Sequence, residues 1–483
     1  MKKIIIAAAL PMLLLGACKK DLTSLNTNPK GYQTVPGTAL FTQAENTLAS
    51  TLASSNVYLN TFRLIEQQWQ ETTYITESNY DIKDNKIPDA IWTAYYRDVL
   101  EPLEQAKVKF PTTILDAPTV KNDIAIADIL EVYTYYYLVT TFGNIPYTEA
   151  LNIDNKFPKY DDAATVYAAL LTRLDADIAA LDENEGSLGA ADQIYGQTPA
   201  QLANQIGLWK KFANTFKLKM GITLADADNA KAKAAVEAAV TAGVFTSNAD
   251  NANFKFATSP PNTNPVWTDL VQSGRKDFIA SKTLVTDLTT GKDPRLALYF
   301  TKDAAGGYSG GVPGTKNSYT AFSKPAVALT APDFPGLLLD YAETEFNLAE
   351  AVERGYNVGA GTAASHYEAA ITASISYWGG TTAQATTYLA LPTVAYATAT
   401  GSYKQKIGHQ KWIALYNRGW DAWIENRRLD FPKLAAPAAP VSDFPVRFTY
   451  PVSEQNVNQV NYDKASGAIG GDEVTTKLFF DKN

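Results

Sequence analysis

A mainly α-helical body of paired helices, broken by one large loop-rich insertion, is the fold that this 483-residue chain predicts. Three observations carry it. Apolar side chains recur at three- and four-residue steps through most of the sequence, the period of helices with one buried face. Glycines stand where such helices would stop, as at Gly355 and at Gly379-Gly380, where a left-handed residue closes the last turn. Finally, Gly, Pro, Asn, Ser and Thr crowd 248–265 and glycine dominates 306–314, so 245–330 reads as an irregular insertion with one helix near Phe278 to Leu288.

The helices follow in order. Pro36 falls at a first-turn position, with Leu40, Ala44, Leu48 and Leu52 down one face. A second helix covers Pro88 to Lys107 and bends at Glu101-Pro102. A third, Val120 to Thr140, is apolar around most of its circumference and so belongs between neighbours. Asp161 or Asp162 opens a fourth, which carries Tyr167, Leu170, Leu174 and Leu181. Pro199 to Ala225 and Ala230 to Thr241 come next. In the first of these Trp209, Phe212, Phe216 and Met220 form the buried stripe, while Lys210, Lys211, Lys217 and Lys219 are expected on a solvated or salt-bridged face. Phe334 to Arg354 and Ala363 to Trp378 form another pair. Tyr403 to Asn426 is the last strong helix, with Trp412, Leu415, Tyr416, Trp420 and Trp423 on a broad core-facing side. Arg427 and Arg428 suit its negative pole and are expected to pair with Glu343 or Glu345. The tail from Leu429 reads as proline-interrupted coil with short strands at Arg447 to Tyr450. Helix pairs joined by modest connections are the pattern of a tetratricopeptide-type solenoid, although no clean repeat of about 34 residues is visible.

The N-terminus differs in character. Lys2 and Lys3, the apolar run Ile4 to Leu15 interrupted by Pro11, and Leu15-Gly16-Ala17-Cys18 make residues 1–17 a cleavable export signal. The run is too short to span a hydrocarbon core of about 30 Å. A cysteine just after the cut can carry a diacylglycerol thioether and an acylated new N-terminus, as in bacterial lipoproteins. Cys18 is therefore the expected lipidation site, and 18–33 a tether ending in the turn Asn26-Thr27-Asn28-Pro29. Each buried acyl CH₂ contributes roughly 0.8 kcal/mol, so two or three chains hold a protein durably on a membrane. Residues 34–483 are then expected to form a single body.

Bulk composition narrows the function. Apolar residues at 46% can fill a sizeable core, and a net charge of -8, more negative still once Lys2 and Lys3 are removed, makes nucleic acid and anionic headgroups poor partners for the surface as a whole. Cys18 is the only cysteine, so the mature chain has neither a disulfide nor a free thiol once that residue is acylated. Gly307-Tyr308-Ser309-Gly310-Gly311 matches the serine-hydrolase elbow, but that turn requires a preceding strand and a following helix, and a glycine loop surrounds it here. His366 and His409 have no partner at zinc spacing and no complete calcium loop occurs, so no cofactor is expected and structural calcium alone stays open. Glycosidases need two carboxylates about 5 Å or 6.5–9.5 Å apart, a spacing that a sequence does not display, and no catalytic signature points to one.

Sugar binding has a clear chemical basis in this composition. Aromatic rings meet the C–H face of a pyranose while Asn, Gln, Asp and Arg satisfy its hydroxyls. Rings on helix stripes are already assigned to the core, which leaves loop aromatics as the ligand-binding candidates: Tyr74 and Tyr80 with Asn79 between them, Trp267 after the proline-rich segment, and Tyr308 and Tyr319 in the glycine-rich region.

Several separated segments carry a family resemblance. They are Asn26-Thr27-Asn28-Pro29, Gln67-Gln68-Trp69, Leu208 through Met220, Asp293-Pro294-Arg295-Leu296, Glu343 through Gly355, Gln410 through Tyr416, Glu425-Asn426-Arg427-Arg428, and Tyr450-Pro451 with Glu454 and Asn461-Tyr462. In this order, behind a lipidation site, the chain resembles the SusD/RagB superfamily of Bacteroidetes outer-membrane nutrient-binding lipoproteins, and its SusD-like branch in particular. The resemblance implies a scaffold of four tetratricopeptide-like helix pairs and acylation at Cys18. It also implies exposure on the outer face of the outer membrane and a role as lid over a SusC-like TonB-dependent transporter. The implied activity is capture of a glycan or oligosaccharide, or alternatively a peptide, without catalysis; a non-binding assembly subunit is the other alternative. Cys18 is followed by Lys19-Lys20-Asp21 rather than by a strongly acidic run, a departure from the usual surface-export signal. The family's ligand contacts lie in variable loops, so no binding residue is carried over by position.

Overall fold

The computed structural model describes residues 35–482, so the export signal, Cys18 and the tether lie outside the described residues. Within 37–483 the chain forms one unit built mostly of helices. Helix α1 (Gly37–Ala53) packs on α3 (Glu101–Thr113), α3 on α4 (Ala117–Phe142), and α4 on α5 (Ala163–Ala180). Two further pairs follow, α6 (Gln205–Leu224) with α7 (Asn229–Ala242) and α8 (Tyr341–Glu353) with α9 (Ala363–Tyr377). The last, α10 (Tyr403–Ala414) and α11 (Gly419–Leu429), packs against α8. Helix α2 (Ile87–Tyr95) lies between α1 and α3 in the chain, so the expected helix-pair scaffold is present.

Local chemistry sets the helix ends. Asp116, Asp162, Asp228 and Asp340 each accept the backbone N–H three residues on, and Thr362 and Ser402 close capping boxes. The bend expected at Pro102 is a π turn, Tyr96–Leu100, joining α2 to α3. Pro102 brings no N–H to the carbonyl four residues before it, and a widened turn absorbs the missing bond. Strands are few among the described residues: β1 (Trp69–Glu71) pairs antiparallel with β3 (Phe278–Ala280), and β2 (Ala252–Phe254) with β4 (Gly336–Leu339).

Several expectations need correction, and two are visible in these strands, since Phe278–Ala280 and Gly336–Leu339 open segments expected to be helical throughout and the helices start only at Lys282 and Tyr341. The last strong helix is two, because Asn417 takes φ 68° and turns the chain between α10 and α11. Gly419 permits that turn, since a Cβ there would lie 2.5 Å from the Arg63 backbone nitrogen. Residues 447–450 form no strand and are followed by helices Val452–Val457 and Gln459–Ala468. Of the two settings expected for Lys219, solvated or salt-bridged, the structure has the second, paired with Glu343 (2.8 Å) and Asp421, and places it fully buried rather than on an exposed face. Arg428 pairs with Glu350 (2.5 Å) and Glu425 (2.6 Å), whereas Glu343 holds Arg418 (2.8 Å) and Glu345 bonds to His366 (2.6 Å). Arg427 has no carboxylate partner among the described residues; its guanidinium lies over the Trp423 ring at 3.5 Å.

These pairs belong to a continuous buried ladder. Asp340, Glu343, Asn347, Glu350 and Arg354 fall at steps of three and four along α8 and its cap, hence on one stripe. Lys219 from α6, Arg418 before α11, Lys411 from α10 and Arg428 from α11 meet that stripe in turn. Glu425 bridges Lys411 and Arg428, and Arg354 passes the chain of charges to Asp226 and Lys404. Burial alone would raise the Glu343 pKa, but Lys219, Arg418 and Lys411 outweigh it and hold the carboxyl well below its ordinary value. Removing one member of such a pair leaves an uncompensated buried charge. Lys219→Met should therefore cost about 3–5 kcal/mol in urea unfolding, while Lys83→Met, at an exposed pair with Glu473, should leave the midpoint nearly unchanged. Equal, small effects of the two would contradict the ladder's role.

Candidate functional site

The site is assembled around β1. Pairing with β3 sets Glu71 opposite Phe278, and the contact continues where the Thr72 N–H donates to the Asp277 carbonyl (2.8 Å) and the Thr72 hydroxyl to that of Lys276 (2.7 Å). The Thr72 carbonyl in turn accepts from the Asn317 N–H (2.9 Å). With its backbone held on both sides, β1 gives way to a short loop on which Tyr74 stands 71% exposed. A second ring approaches from the loop after α1. There the Asn56 side chain accepts the Tyr58 N–H (3.0 Å), an Asx turn that leaves Tyr58 45% exposed. The Ser55 hydroxyl donates to Asp269 (2.7 Å), tying this loop to the turn after Trp267.

Together these segments enclose a cleft of ≈ 480 Å³ in which Tyr58, Tyr74 and Phe278 alternate with Asn56, Asn85, Glu71, Glu77, Asp269, Arg275 and Asp277. Among the described residues Arg275 is the one cation lining it, and it is paired with Asp277 (2.5 Å). Glu71 is buried at its base, where one carboxyl oxygen accepts from both the N–H (3.0 Å) and the hydroxyl (2.8 Å) of Ser78. Burial, and then the neighbouring Glu77, push the Glu71 pKa up to about 9, so this group carries a proton at neutral pH and can donate as well as accept. Exposed rings beside groups of both hydrogen-bonding senses suit a ligand with apolar faces and many hydroxyls.

Of the residues singled out in the sequence, Tyr74 lines this cleft. Asn79 and Tyr80 lie on the turn beneath it, and both are buried. The Asn79 amide donates to the Ile75 and Gly314 carbonyls and accepts from the Ala439 N–H, while the Tyr80 hydroxyl accepts from Gln67. Trp267 is half-buried on a short helix, Pro265–Trp267, two residues ahead of Asp269. Tyr308 is half-buried against the core that includes Trp69 and Trp412, and Tyr319 lies under Lys324 (5.2 Å). Neither lines the cleft. Tyr58, Arg275 and Asp277 escaped the sequence reading. A tyrosine in the polar connection Ser54 to Asn60 was the available signal for the first; the other two depend on a strand pairing that sequence does not reveal.

The serine-hydrolase pattern has a structural role. Ser309 donates to Asp303 (2.7 Å) within an irregular loop, and the histidines bond elsewhere, His366 to Glu345 and His409 to Asp287. Among the described residues no group of three or more His, Cys, Asp or Glu side chains is placed to hold a metal ion. No helix among them is long and apolar enough to cross a membrane.

Paired helices presenting a loop-built aromatic cleft define a binding scaffold. The chain belongs to the SusD-like family, within the SusD/RagB superfamily of Bacteroidetes outer-membrane nutrient-binding proteins: the family model described as "Starch-binding associating with outer membrane" matches residues 29–451. Members of this family bind nutrients rather than transform them, and the chain is a binding protein, not an enzyme. Solved structures with the same fold include a chitin-binding protein at 25% identity and TM-score 0.79, covering 92% of this chain and 100% of that one. A SusD homolog from Bacteroides uniformis is 26% identical with TM-score 0.74, covering 92% and 99%. A chitin-binding SusD homolog from Flavobacterium johnsoniae shares the fold at 24% identity and TM-score 0.76, covering 92% and 98%. No curated protein matches the sequence.

The raised Glu71 pKa has a consequence for stability. The unfolded chain releases this proton near pH 4.3, far below the pH at which the fold does, so the contribution of protonated Glu71 is complete below that pH and is lost as pH rises toward 9. Glu71→Gln keeps the Ser78 contacts without the proton. Its urea midpoint should fall less between pH 5 and 9 than that of the parent, and parallel declines would contradict this assignment.

Proposed function

We propose that this protein is a lipid-anchored receptor on the outer face of the outer membrane, one that captures a glycan or oligosaccharide in the Tyr58–Tyr74 cleft. The cargo then passes to a partner SusC-like TonB-dependent transporter. Acylated Cys18 supplies the anchor. The observation that carries the ligand reading is the cleft itself, where two exposed rings stand beside Asn, Arg and carboxyl groups. Tyr58 and Tyr74 are the stacking platforms; Trp267 extends the contact beside Asp269; Asn79 and Tyr80 hold the floor in place. Tyr308 and Tyr319 belong to the insertion beyond the cleft and would meet only a longer chain.

Carboxyl groups outnumber the single arginine in the cleft, which favours a neutral sugar over an acidic one. The starch named in the family description and the chitin named for two related structures are both neutral glucose-based polymers, and their oligosaccharides are the first ligands to try. Peptide capture by strand addition would need unpaired backbone groups at the β1 edge. Both Thr72 backbone groups are already bonded, which weighs against that cargo.

Calorimetry on protein lacking the lipid, with starch- and chitin-derived oligosaccharides, tests the reading. Tyr74→Ala should weaken binding about five- to tenfold, since a stacked ring contributes roughly 1–1.5 kcal/mol. Because Tyr74 is exposed, the variant should unfold at the parental midpoint. Unchanged affinity in both Tyr58→Ala and Tyr74→Ala would remove the cleft as the site. Peptide binding with no glycan signal would overturn the cargo assignment.

A further inference from the structure

If the Tyr58–Tyr74 cleft holds the glycan, as proposed above, its charges also select the kind of sugar. With Glu71 carrying its proton, Glu77, Asp269 and Asp277 stand against the single guanidinium of Arg275. Arg275 is committed to Asp277 (2.5 Å). The other two acids are held by neutral groups: Glu77 accepts from the Asn85 amide (2.5 Å), and Asp269 accepts from the Ser55 hydroxyl through Oδ2 (2.7 Å). Oδ1 of Asp269 has no partner among the described residues, and it is not one of the oxygens sealed from solvent. An open carboxylate oxygen thus sits on a half-buried residue that lines the cleft together with the two exposed rings.

A sugar hydroxyl that replaces water on such an oxygen exchanges one neutral hydrogen bond for another and gains little. A protonated amine gains more. The carboxylates attract it in a setting drier than bulk water, and the face of a tyrosine ring carries the negative part of its quadrupole. A hydroxyl or an acetamido N–H brings no charge to either partner, and the carboxylate of a uronic sugar meets like charge. The cleft, at ≈ 480 Å³, has the volume of roughly sixteen waters and so admits a whole sugar ring with its substituents. Such a ring offers C–H faces to Tyr58 and Tyr74 and hydroxyls to Asn56 and Asn85, all of which line the same space.

We propose that the cleft selects a glycan with free amino groups, a sugar of the glucosamine type, whose ammonium lies against Asp269 with a tyrosine face beside it. Ser55 holds the Asp269 carboxylate in place, so the acceptor is ordered before the ligand arrives. A lysine side chain carries the same ammonium but brings no ring face for two tyrosines to cover, and the bonded Thr72 backbone leaves a peptide no strand edge there.

Calorimetry on the lipid-free protein at about pH 5.5 and low salt, with tetramers of glucosamine, N-acetylglucosamine and glucose, tests the proposal. The glucosamine tetramer should bind about tenfold more tightly than either neutral one, and the margin should narrow as sodium chloride is raised. Asp269→Asn keeps an oxygen for Ser55 and loses the charge, so it should cut that margin about two- to fivefold. Glu183→Gln removes an exposed charge outside the cleft, one paired with Lys210 (3.0 Å), and should leave the margin as it is. Equal losses in the two variants would mean attraction to the acidic protein as a whole and would overturn the proposal. Should Asp269→Asn not fold, the three tetramers on the parent protein decide. A neutral tetramer bound as tightly as the glucosamine one overturns the amino-sugar assignment and leaves the cleft a glycan site, whereas binding of none of the three removes both. Pentalysine bound as tightly as the glucosamine tetramer would assign the charge to a basic peptide and overturn the proposal as well.

Discussion

The stripe Asp340, Glu343, Asn347, Glu350 and Arg354 lies inside the protein rather than on its surface, and burying it is the constraint on which the remaining architecture depends. A carboxylate taken out of water costs several kcal/mol unless a cation and further hydrogen bonds reach it. Helix α8 can therefore sit only where Lys219, Lys411, Arg418 and Arg428 converge from α6, α10, α11 and the turn between the last two. Sliding α8 by one turn, about 5.4 Å, would part every pair at once. Hydrophobic burial supplies the bulk of the stability, but it is not directional. The ladder is directional, and it selects one register among several that would pack apolar surface equally well.

From this ladder the constraint runs outward to the cleft. Arg418 and Gly419 begin α11, and the close approach of Gly419 to the Arg63 backbone fixes the segment that leads into β1. Arg63 donates to the Asn417 side chain (3.0 Å), Gln68 to the Trp412 and Leu415 carbonyls, and the Trp412 indole back to the Glu66 carbonyl (3.1 Å). Strand β1 is thereby held by the last helix pair on one side and by β3 on the other. Tyr74 and Tyr58 can stand exposed because the backbone that presents them is immobilised by buried bonds, so little ordering remains to oppose binding.

Much of the scaffold was legible in the sequence, because it rests on local signals. Leu40, Ala44 and Leu48 announced α1, Asp162 the start of α5, and Gly355 the end of α8, each by period or by cap. Other features depended on residues far away. Lys219 shares the sequence context of Lys210 and Lys211, and only the arrival of Glu343 and Asp421 makes it a core residue. The break at Asn417 is invisible in a run as helical as Tyr403 to Asn426, since the approach of Arg63 imposes it. The cleft was legible in part. Tyr74 stood out as a loop aromatic, while Arg275 and Asp277 enter through the β1–β3 pairing, and the burial of Asn79 and Tyr80 follows from bonds to Gly314, Ala439 and Gln67 that lie across the chain.

If the ladder is what unites the scaffold, the elements it joins must open together. Native-state hydrogen exchange resolves this at the level of single amides. The interior amides of α6, α8 and α11 should exchange only through global unfolding, with one shared free energy and one shared denaturant dependence. Exchange of α8 or α11 through a separate opening of lower energy, with α6 still protected, would contradict the account.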